Sequence, residues 1–224
     1  MRCIRIISLL LLCLTFLTSC NNHDDKDALW IPINGISWGM EKGKVESLLK
    51  DSGVVLNQEN GTVPNRYILS EAQTCWGFIG IVKLDFKSFT KDGDAYLTAF
   101  SFYPKEADED AFLKELSDAF GVKSSSSPGN KTESLQWESK TAITDISDKD
   151  VRQRAKDLTE MIWGNTPFKE TVTEISRPLV TAQYTPMEQG DSKSSIYLSG
   201  EHAALAAIAK DKQLSSMIIE SSDN

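Results

Sequence analysis

Histidine is scarce in this chain, and so are the motifs of the common catalytic centres. Only two histidines occur among the 224 residues, His23 and His202, and they lie far apart. Catalytic zinc sites draw on clustered histidines, so we predict no metal centre. No Gly-x-Ser-x-Gly elbow occurs, nor any glycine-rich pattern that cradles a phosphate or dinucleotide. We therefore predict no cofactor and no catalytic residue. Without an elbow, Ser199 and His202 are interpreted as a helix-start serine and an exposed histidine.

Excess positive charge is also lacking. The chain has 24 basic and 32 acidic residues, a net charge of −8. Without residues 1–19, which hold Arg2 and Arg5, it keeps 22 basic and 32 acidic residues, a net charge of −10. An acidic surface repels phosphate backbones and anionic lipid headgroups. Nucleic acid is therefore excluded as a partner, and a basic membrane-binding patch is not predicted.

No apolar run is long enough to span a bilayer. Residues 6–17 form an apolar core after Arg2 and Arg5. A twelve-residue helix covers about 18 Å, against a hydrocarbon core of about 30 Å. A positive start followed by a short apolar core is typical of a secretory signal.

The apolar core ends in Leu17-Thr18-Ser19-Cys20. In this feature the chain resembles bacterial lipoproteins with a type II signal peptide. The resemblance implies cleavage after Ser19 and a thioether-linked diacylglycerol on the Cys20 sulfur. Cys3 and Cys13 lack the preceding small residue, so Cys20 is the predicted lipidation site.

The resemblance also implies a location. Two or three acyl chains anchor a protein more firmly than one, so the mature protein is expected to be membrane-anchored without spanning. It would lie in the cell envelope, on the outer membrane of a Gram-negative cell or otherwise on the cell membrane, with its domain on the extracytoplasmic side. Residues 1–19 are the predicted signal peptide, and residues 20–29 the lipidated cysteine and a polar tether.

Cysteine and tryptophan in the mature chain are predicted to be structural. With Cys20 acylated, Cys75 is the only free thiol, and its neighbours Trp76 and Phe78 favour a buried, inert side chain. About four in five of the tryptophans are expected in the core or half-buried; the five are Trp30, Trp38, Trp76, Trp137 and Trp163.

The hydrophobic pattern predicts an α+β fold, an antiparallel sheet with three to four amphipathic helices packed against it. Residues 30–212 form either one domain or two small subdomains that meet near residues 104–130, and residues 213–224 form a polar tail. Helices are predicted over 41–50, 108–120, from about Ser147 to Gly164, and over 201–210. Strands are predicted within 78–103 as a hairpin, 135–146, 170–184 and 194–198. In the first of these, Val82, Leu84 and Phe86 alternate with Lys83, Asp85 and Lys87, which predicts a strand with one buried face. The helix over 108–120 is predicted from its acidic first turn, the spacing of Phe112 and Leu116, and Gly121 as its end.

Charge and capping patterns add detail to the third helix. Ser147 and Asp150 have the spacing of a capping box. Asp148 precedes Arg152, and Asp150 precedes Arg154, by four residues, which predicts surface ion pairs.

The opening unit carries a second resemblance. Trp38-Gly39-Met40 leads into a helix with Val45 and Leu49, followed by antiparallel strands. This order is similar to the helix-then-sheet modules of small envelope lipoproteins, among them the smallest lipoprotein subunits of the outer-membrane β-barrel assembly machinery, and to β-lactamase-inhibitor-like domains. The resemblance implies a function in binding other proteins.

Three functions remain open at this point. The first is a non-enzymatic envelope lipoprotein that binds a protein or another envelope component. The alternative is an acid-base hydrolase of envelope carbohydrate or peptide, which needs two carboxylates and an exposed tryptophan in one cleft. A small-ligand carrier would need an apolar cavity.

The lipid anchor is directly testable. Replacement of Cys20 by alanine removes the only predicted acceptor sulfur, so we expect Cys20→Ala to abolish metabolic lipid labelling and to leave the chain unprocessed or slowly processed. Gel mobility and radiolabelled or alkynyl fatty acid incorporation measure both effects. Normal acylation of the variant would refute the lipoprotein interpretation.

Overall fold

The computed structural model describes residues 29–61, 63–90, 93–121, 125–126, 135–163, 174–186 and 194–222. Over these ranges the predicted α+β fold is confirmed, with one antiparallel sheet and five helices. None of these helices is both long and apolar enough to cross a bilayer. The strands are β1 Leu56–Gln58, β2 Arg66–Leu69, β3 Gln73–Cys75, β4 Phe78–Ser88, β5 Ala95–Pro104, β6 Ser125–Ser126, β7 Leu135–Glu138, β8 Thr181–Thr185 and β9 Ser195–Ser199. The helices are α1 Lys42–Asp51, α2 Glu109–Phe120, α3 Lys149–Trp163, α4 Glu201–Ile208 and α5 Lys212–Ser222.

The sheet follows the order β1-β2-β4-β5-β9-β8-β7-β6, and β3 pairs with the start of β4. Each pairing in it is antiparallel. At its centre is the β4–β5 hairpin, which confirms the prediction for residues 78–103. Val82, Leu84 and Phe86 are buried on one face. Because strand residues alternate between faces, Lys83, Asp85 and Lys87 lie on the other face.

Helices α1 and α2 cover the apolar face of the sheet. They contribute Val45 and Leu49 from α1, and Phe112 and Leu116 from α2, to a cluster with the buried residues of β4, β5, β8 and β9. Full burial of each such side chain stabilises the fold by about 1.5–3 kcal/mol. Both helices lie where the hydrophobic spacing predicts them.

The ends of α2 are fixed as its sequence predicts. The Asp108 carboxylate accepts a hydrogen bond from the Ala111 N–H at 2.9 Å, and Gly121 follows the last helical residue with φ 81°. The indole N–H of Trp137 in β7 donates to the Gly121 carbonyl at 3.1 Å. The Tyr184 hydroxyl in β8 donates to Glu109 at 2.8 Å. These contacts tie α2 to the half of the sheet formed by β7 and β8.

Helices α3, α4 and α5 form a second cluster on the opposite face, at one end of the sheet. Tyr96 pairs with Lys87 across the hairpin, so its ring points away from the first cluster. It packs instead with Leu158, Leu205 and Ile208. The helices thus cover the end of this face that carries Lys87. Over the described residues, no helix covers the rest of this face.

The details predicted for the start of α3 are corrected. Asp148, and not the Ser147–Asp150 pair, caps the helix, since its carboxylate accepts hydrogen bonds from the N–H groups of Asp150 and Val151. Arg152 and Arg154 donate to backbone carbonyls, those of Ile146 and Ala209. Arg152 therefore ties α3 to the turn that precedes it, and Arg154 ties α3 to the end of α4, instead of forming the predicted surface pairs.

The predicted polar tail is also corrected. Residues 212–222 form α5, with Ser215 and Ile218 buried. The apolar face of α5 covers only two turns, and serines surround it. This explains why the composition predicted a polar tail. Residues 174–176 form a 3-10 turn where an extended segment was predicted. Strands β1 to β3 were not predicted, because each has only three or four residues.

A two-residue turn joins β3 to β4. Cys75 pairs with Phe78, and the intervening Trp76 and Gly77 both have positive φ, 50° and 80°. Two consecutive positive φ values are typical of a tight hairpin turn. The Trp76 ring packs edge-on against the rings of Phe100, Phe102 and Phe120. Packing against three aromatic rings holds a bulky residue in a conformation that glycine or asparagine usually adopts.

The close approach of β4 to β5 predicts a strict requirement for glycine at position 80. A Cβ there would lie 2.4 Å from the Tyr103 carbonyl oxygen and 2.6 Å from the Phe102 ring. We expect Gly80→Ala to lower the free energy of unfolding by about 1–3 kcal/mol, measured by urea denaturation. Gly61→Ala is the control, since nothing lies within 4 Å of its Cβ position. Equal stability of the two variants would contradict the packing described here.

Candidate binding surface

The face of the sheet opposite α1 and α2 is open in the part of the chain that the structure describes. No helix over those ranges packs on its middle, and exposed or half-buried side chains cover it. We call this surface the open face. Its central row crosses seven strands in register. The row comprises Asn57, Ile68, Lys83, Ser101, Tyr197, Gln183 and Gln136.

A bidentate ion pair lies next to this row. Arg66 of β2 and Asp85 of β4 are register partners, and Arg66 Nε and Nη2 donate to the two carboxylate oxygens at 2.6 Å each. Their side chains are 21% and 15% exposed. The hydrogen bond that Arg66 donates to Asp85 raises the Arg66 pKa above its usual range. A charged hydrogen bond of this kind is worth about 1.5–3 kcal/mol, so the pair fixes both side chains in place.

Two lysines of β4 on this face are also paired. Lys83 Nζ lies 2.6 Å from Glu59 and 5.1 Å from the centre of the Tyr103 ring. Lys87, at the helical end, forms an ion pair with Glu201 at the start of α4, and its Nζ lies over the Trp163 ring at 5.5 Å. Three cations therefore each meet one anion. Glu138, which shares a face of β7 with Gln136, adds an exposed carboxylate to the open face.

Small residues form the floor of the open face. Ala99 and Ser101 of β5 are 4% and 3% exposed although they point to this side, because longer neighbouring side chains shield them. Tyr197, beside Ser101, is 39% exposed. Desolvation by its neighbours raises the pKa of Tyr197, and the Asp85 carboxylate raises it further. The phenol is therefore protonated at neutral pH and available as a hydrogen-bond donor.

The end of the open face away from the helices is apolar. Ile79 is 60% exposed, and Ile81 pairs with Tyr103 across the hairpin. Along β4, the open face therefore begins with isoleucine and tyrosine, continues with the ion pairs, and ends at the helices α3–α5.

The lipidation site predicted from the sequence, Cys20, lies outside the described residues, as do His23 and most of the tether. Cys75 is fully buried, as predicted, and burial raises its pKa to about 12. Because the thiolate is the reactive form, this thiol is inert at neutral pH.

The tryptophans also follow the prediction, with one exposed. Trp137 is buried, Trp38, Trp76 and Trp163 are half-buried, and Trp30 is 39% exposed. The interpretation of His202 as an exposed residue is wrong. Its ring is half-buried in α4 and stacks on Trp163, with ring centres 4.9 Å apart and an interplanar angle of 8°. Ser199 ends β9 instead of starting a helix.

A cavity of about 390 Å³ lies elsewhere, within the loop of residues 30–38. A single stretch of chain lines it, with Trp30 at one end and Trp38 at the other, and none of the lining residues is ionisable. It meets the apolar condition for a ligand site, but it offers no charged group to orient a polar ligand.

Among the described side chains, few are arranged as an acid-base catalytic site or a metal site would require. No group of three His, Cys, Asp or Glu residues there is arranged to hold a metal ion. On the open face, Asp85 and Glu201 each contact a basic side chain. The exposed Trp30 lines the loop cavity, where no carboxylate lies. The loop cavity therefore does not combine an exposed tryptophan with the two carboxylates that a glycoside hydrolase needs.

The chain matches no protein-family model, no curated protein and no solved structure. Its function must accordingly be argued from its own residues.

Sequence reasoning identified the alternating face of β4 but not the surface built on it. Lys83, Asp85 and Lys87 predicted one exposed side of a strand. Their partners Glu59, Arg66 and Glu201 lie 24, 19 and 114 residues away. No local pattern specifies pairs at such separations.

Proposed function

We propose that this protein is a membrane-anchored envelope lipoprotein whose open face binds another protein. The observation that carries the proposal is the composition of that face, where exposed isoleucine and tyrosine adjoin fixed ion pairs. Tyrosine, arginine and apolar side chains are enriched at the centres of protein interfaces, and lysine is depleted there unless paired.

The size of the face favours a transient partner. Its central row crosses seven strands and spans about 30 Å, and the distance from Ile79 to Asp85 along β4 is about 20 Å. A patch of roughly 600 Å² is smaller than the approximately 800 Å² that each partner contributes to a standard interface. A reversible complex fits this area better than an obligate one.

The charge pattern bears on the choice of partner. A uniformly acidic face would select a basic partner and would repel anionic glycans and lipids. Because Arg66, Lys83 and Lys87 are each matched by an anion, the open face has no excess positive charge and does not select an acidic partner. The fixed Arg66–Asp85 pair and the Tyr197 hydroxyl instead supply directional hydrogen bonds, which favour a folded or extended polypeptide as the ligand.

Photo-crosslinking tests this proposal. A photoreactive amino acid is placed at Ile79 on the open face, or at Met217 on α5, in the lipid-anchored chain. Both positions are 60% exposed and apolar, so they differ only in the surface they report. In intact cells we expect one discrete crosslinked species from position 79, lost when Tyr197→Ala and Arg66→Ala are added, and no equivalent species from position 217.

The contrary outcome is clear. Identical crosslinking from both positions, or a position 79 species unaffected by Tyr197→Ala and Arg66→Ala, would contradict binding at the open face. Circular dichroism of each variant checks that the fold is retained.

A further inference from the structure

The loop that follows the predicted tether is unusual in this acidic chain. Residues 28–40 contain no charged side chain, and no longer uncharged run follows Cys20. The loop cavity and the exposed Trp30 both belong to this run.

Trp30 is held outward by its neighbours. Leu29 and Ile31, on either side, are 4% and 5% exposed. The Trp38 indole N–H donates to the Leu29 carbonyl at 3.0 Å. The Trp38 ring in turn packs on Gly200, where a Cβ would lie only 2.4 Å from the ring. The Trp30 side chain is therefore presented at the surface by a fixed backbone.

The chemistry of the loop fits the boundary between lipid headgroups and acyl chains. Tryptophan concentrates at that boundary because it joins an apolar body to a polar N–H. Pro32 and Ile33 supply further apolar surface around the cavity, while Asn34 and Ser37 supply uncharged polar groups. Since no charge must be desolvated, contact with lipid costs this loop less than it would cost the acidic surface elsewhere.

The distance along the chain limits where the loop can lie. Eight residues lie between Cys20 and Leu29, and the nine steps from one Cα to the next span at most about 32 Å. A domain of this size is about 40 Å across, so a lipid on Cys20 would keep Trp30 out of the part of the domain farthest from the bilayer.

We infer that the loop of residues 30–38 is a second, non-covalent contact with the membrane, in which Trp30 enters the headgroup region. The inference rests on the proposed lipid anchor. Its consequence is a fixed orientation. Gly39 and Met40, at the end of the loop, bond to Leu97 near the start of β5. Ile79 lies near the other end of that strand, about 24 Å further along. The apolar end of the open face would then point away from the membrane.

Quenching of tryptophan fluorescence by brominated lipid tests the inference. The mature protein is purified with its lipid, the mass of the Cys20 adduct is measured, and the protein is reconstituted into phosphatidylcholine vesicles brominated near the headgroup end of the acyl chains. We expect the quenched fraction of the fluorescence to fall at least twofold in Trp30→Phe. Adding Ile79→Trp to Trp30→Phe should not restore it, since position 79 is more exposed than position 30 but distant from the loop.

Each outcome has a defined meaning. Equal quenching of wild type and Trp30→Phe, or full restoration by Ile79→Trp, would overturn the membrane contact while a lipid mass on Cys20 upheld the anchor. A change in oligomeric state of Trp30→Phe without a change in quenching would assign the loop to a second copy of the chain and also overturn it. Absence of lipid on Cys20 would overturn both the anchor and the inference.

Discussion

The antiparallel pairing of β4 with β5 determines where both hydrophobic clusters and the open face lie. Nine register pairs run from Gly80 with Pro104 to Ser88 with Ala95, with one irregularity after Asp85. This register decides which side chains face α1 and α2 and which face away. A shift by one residue would move Val82, Leu84 and Phe86 to the opposite face and bury the charges of Lys83 and Asp85. The apolar core and the open face are thus two consequences of the same pairing.

Different kinds of interaction stabilise the two faces of the sheet. On one side, aromatic and aliphatic residues pack in the interior, with Trp76 and Phe112 in edge-on contact with neighbouring rings. On the other side, the Arg66–Asp85 pair bridges adjacent strands through two charged hydrogen bonds. Such a pair contributes less than the core, but it holds polar groups in a fixed arrangement. Fixed groups lose little conformational entropy on binding, which is the advantage of building a recognition surface on a sheet instead of on a loop.

The sequence was informative where the signal was local and repeated. The Lys83-Leu84-Asp85-Phe86 alternation identified β4, and the Phe112 and Leu116 spacing with Asp108 and Gly121 identified α2. It failed where stability comes from distant partners. Strands β1 to β3 are short, and their place depends on pairing with β4; α5 depends on α3, against which Ile218 packs. The open face was missed for the same reason, because its members come from strands that only the fold brings together. The sequence did not distinguish Trp30 from the other four tryptophans, and only its exposure in the structure does so.

The proposed anchor, loop and open face together describe a domain held at a membrane by one end, with its recognition surface running away from the bilayer. A partner bound in the envelope would cover the open face, and the reactivity of a thiol placed on that face reports whether it is covered. Cys75 is buried with a pKa of about 12, and Cys20 would be blocked by lipid, so an introduced Ile79→Cys is the reactive thiol. The account predicts that a membrane-impermeant maleimide labels this thiol more slowly in cells that display the domain, or in sealed envelope preparations that expose it, than in the purified lipoprotein. Met217→Cys should react equally in both. Equal reactivity of Ile79→Cys in the two settings would contradict the account.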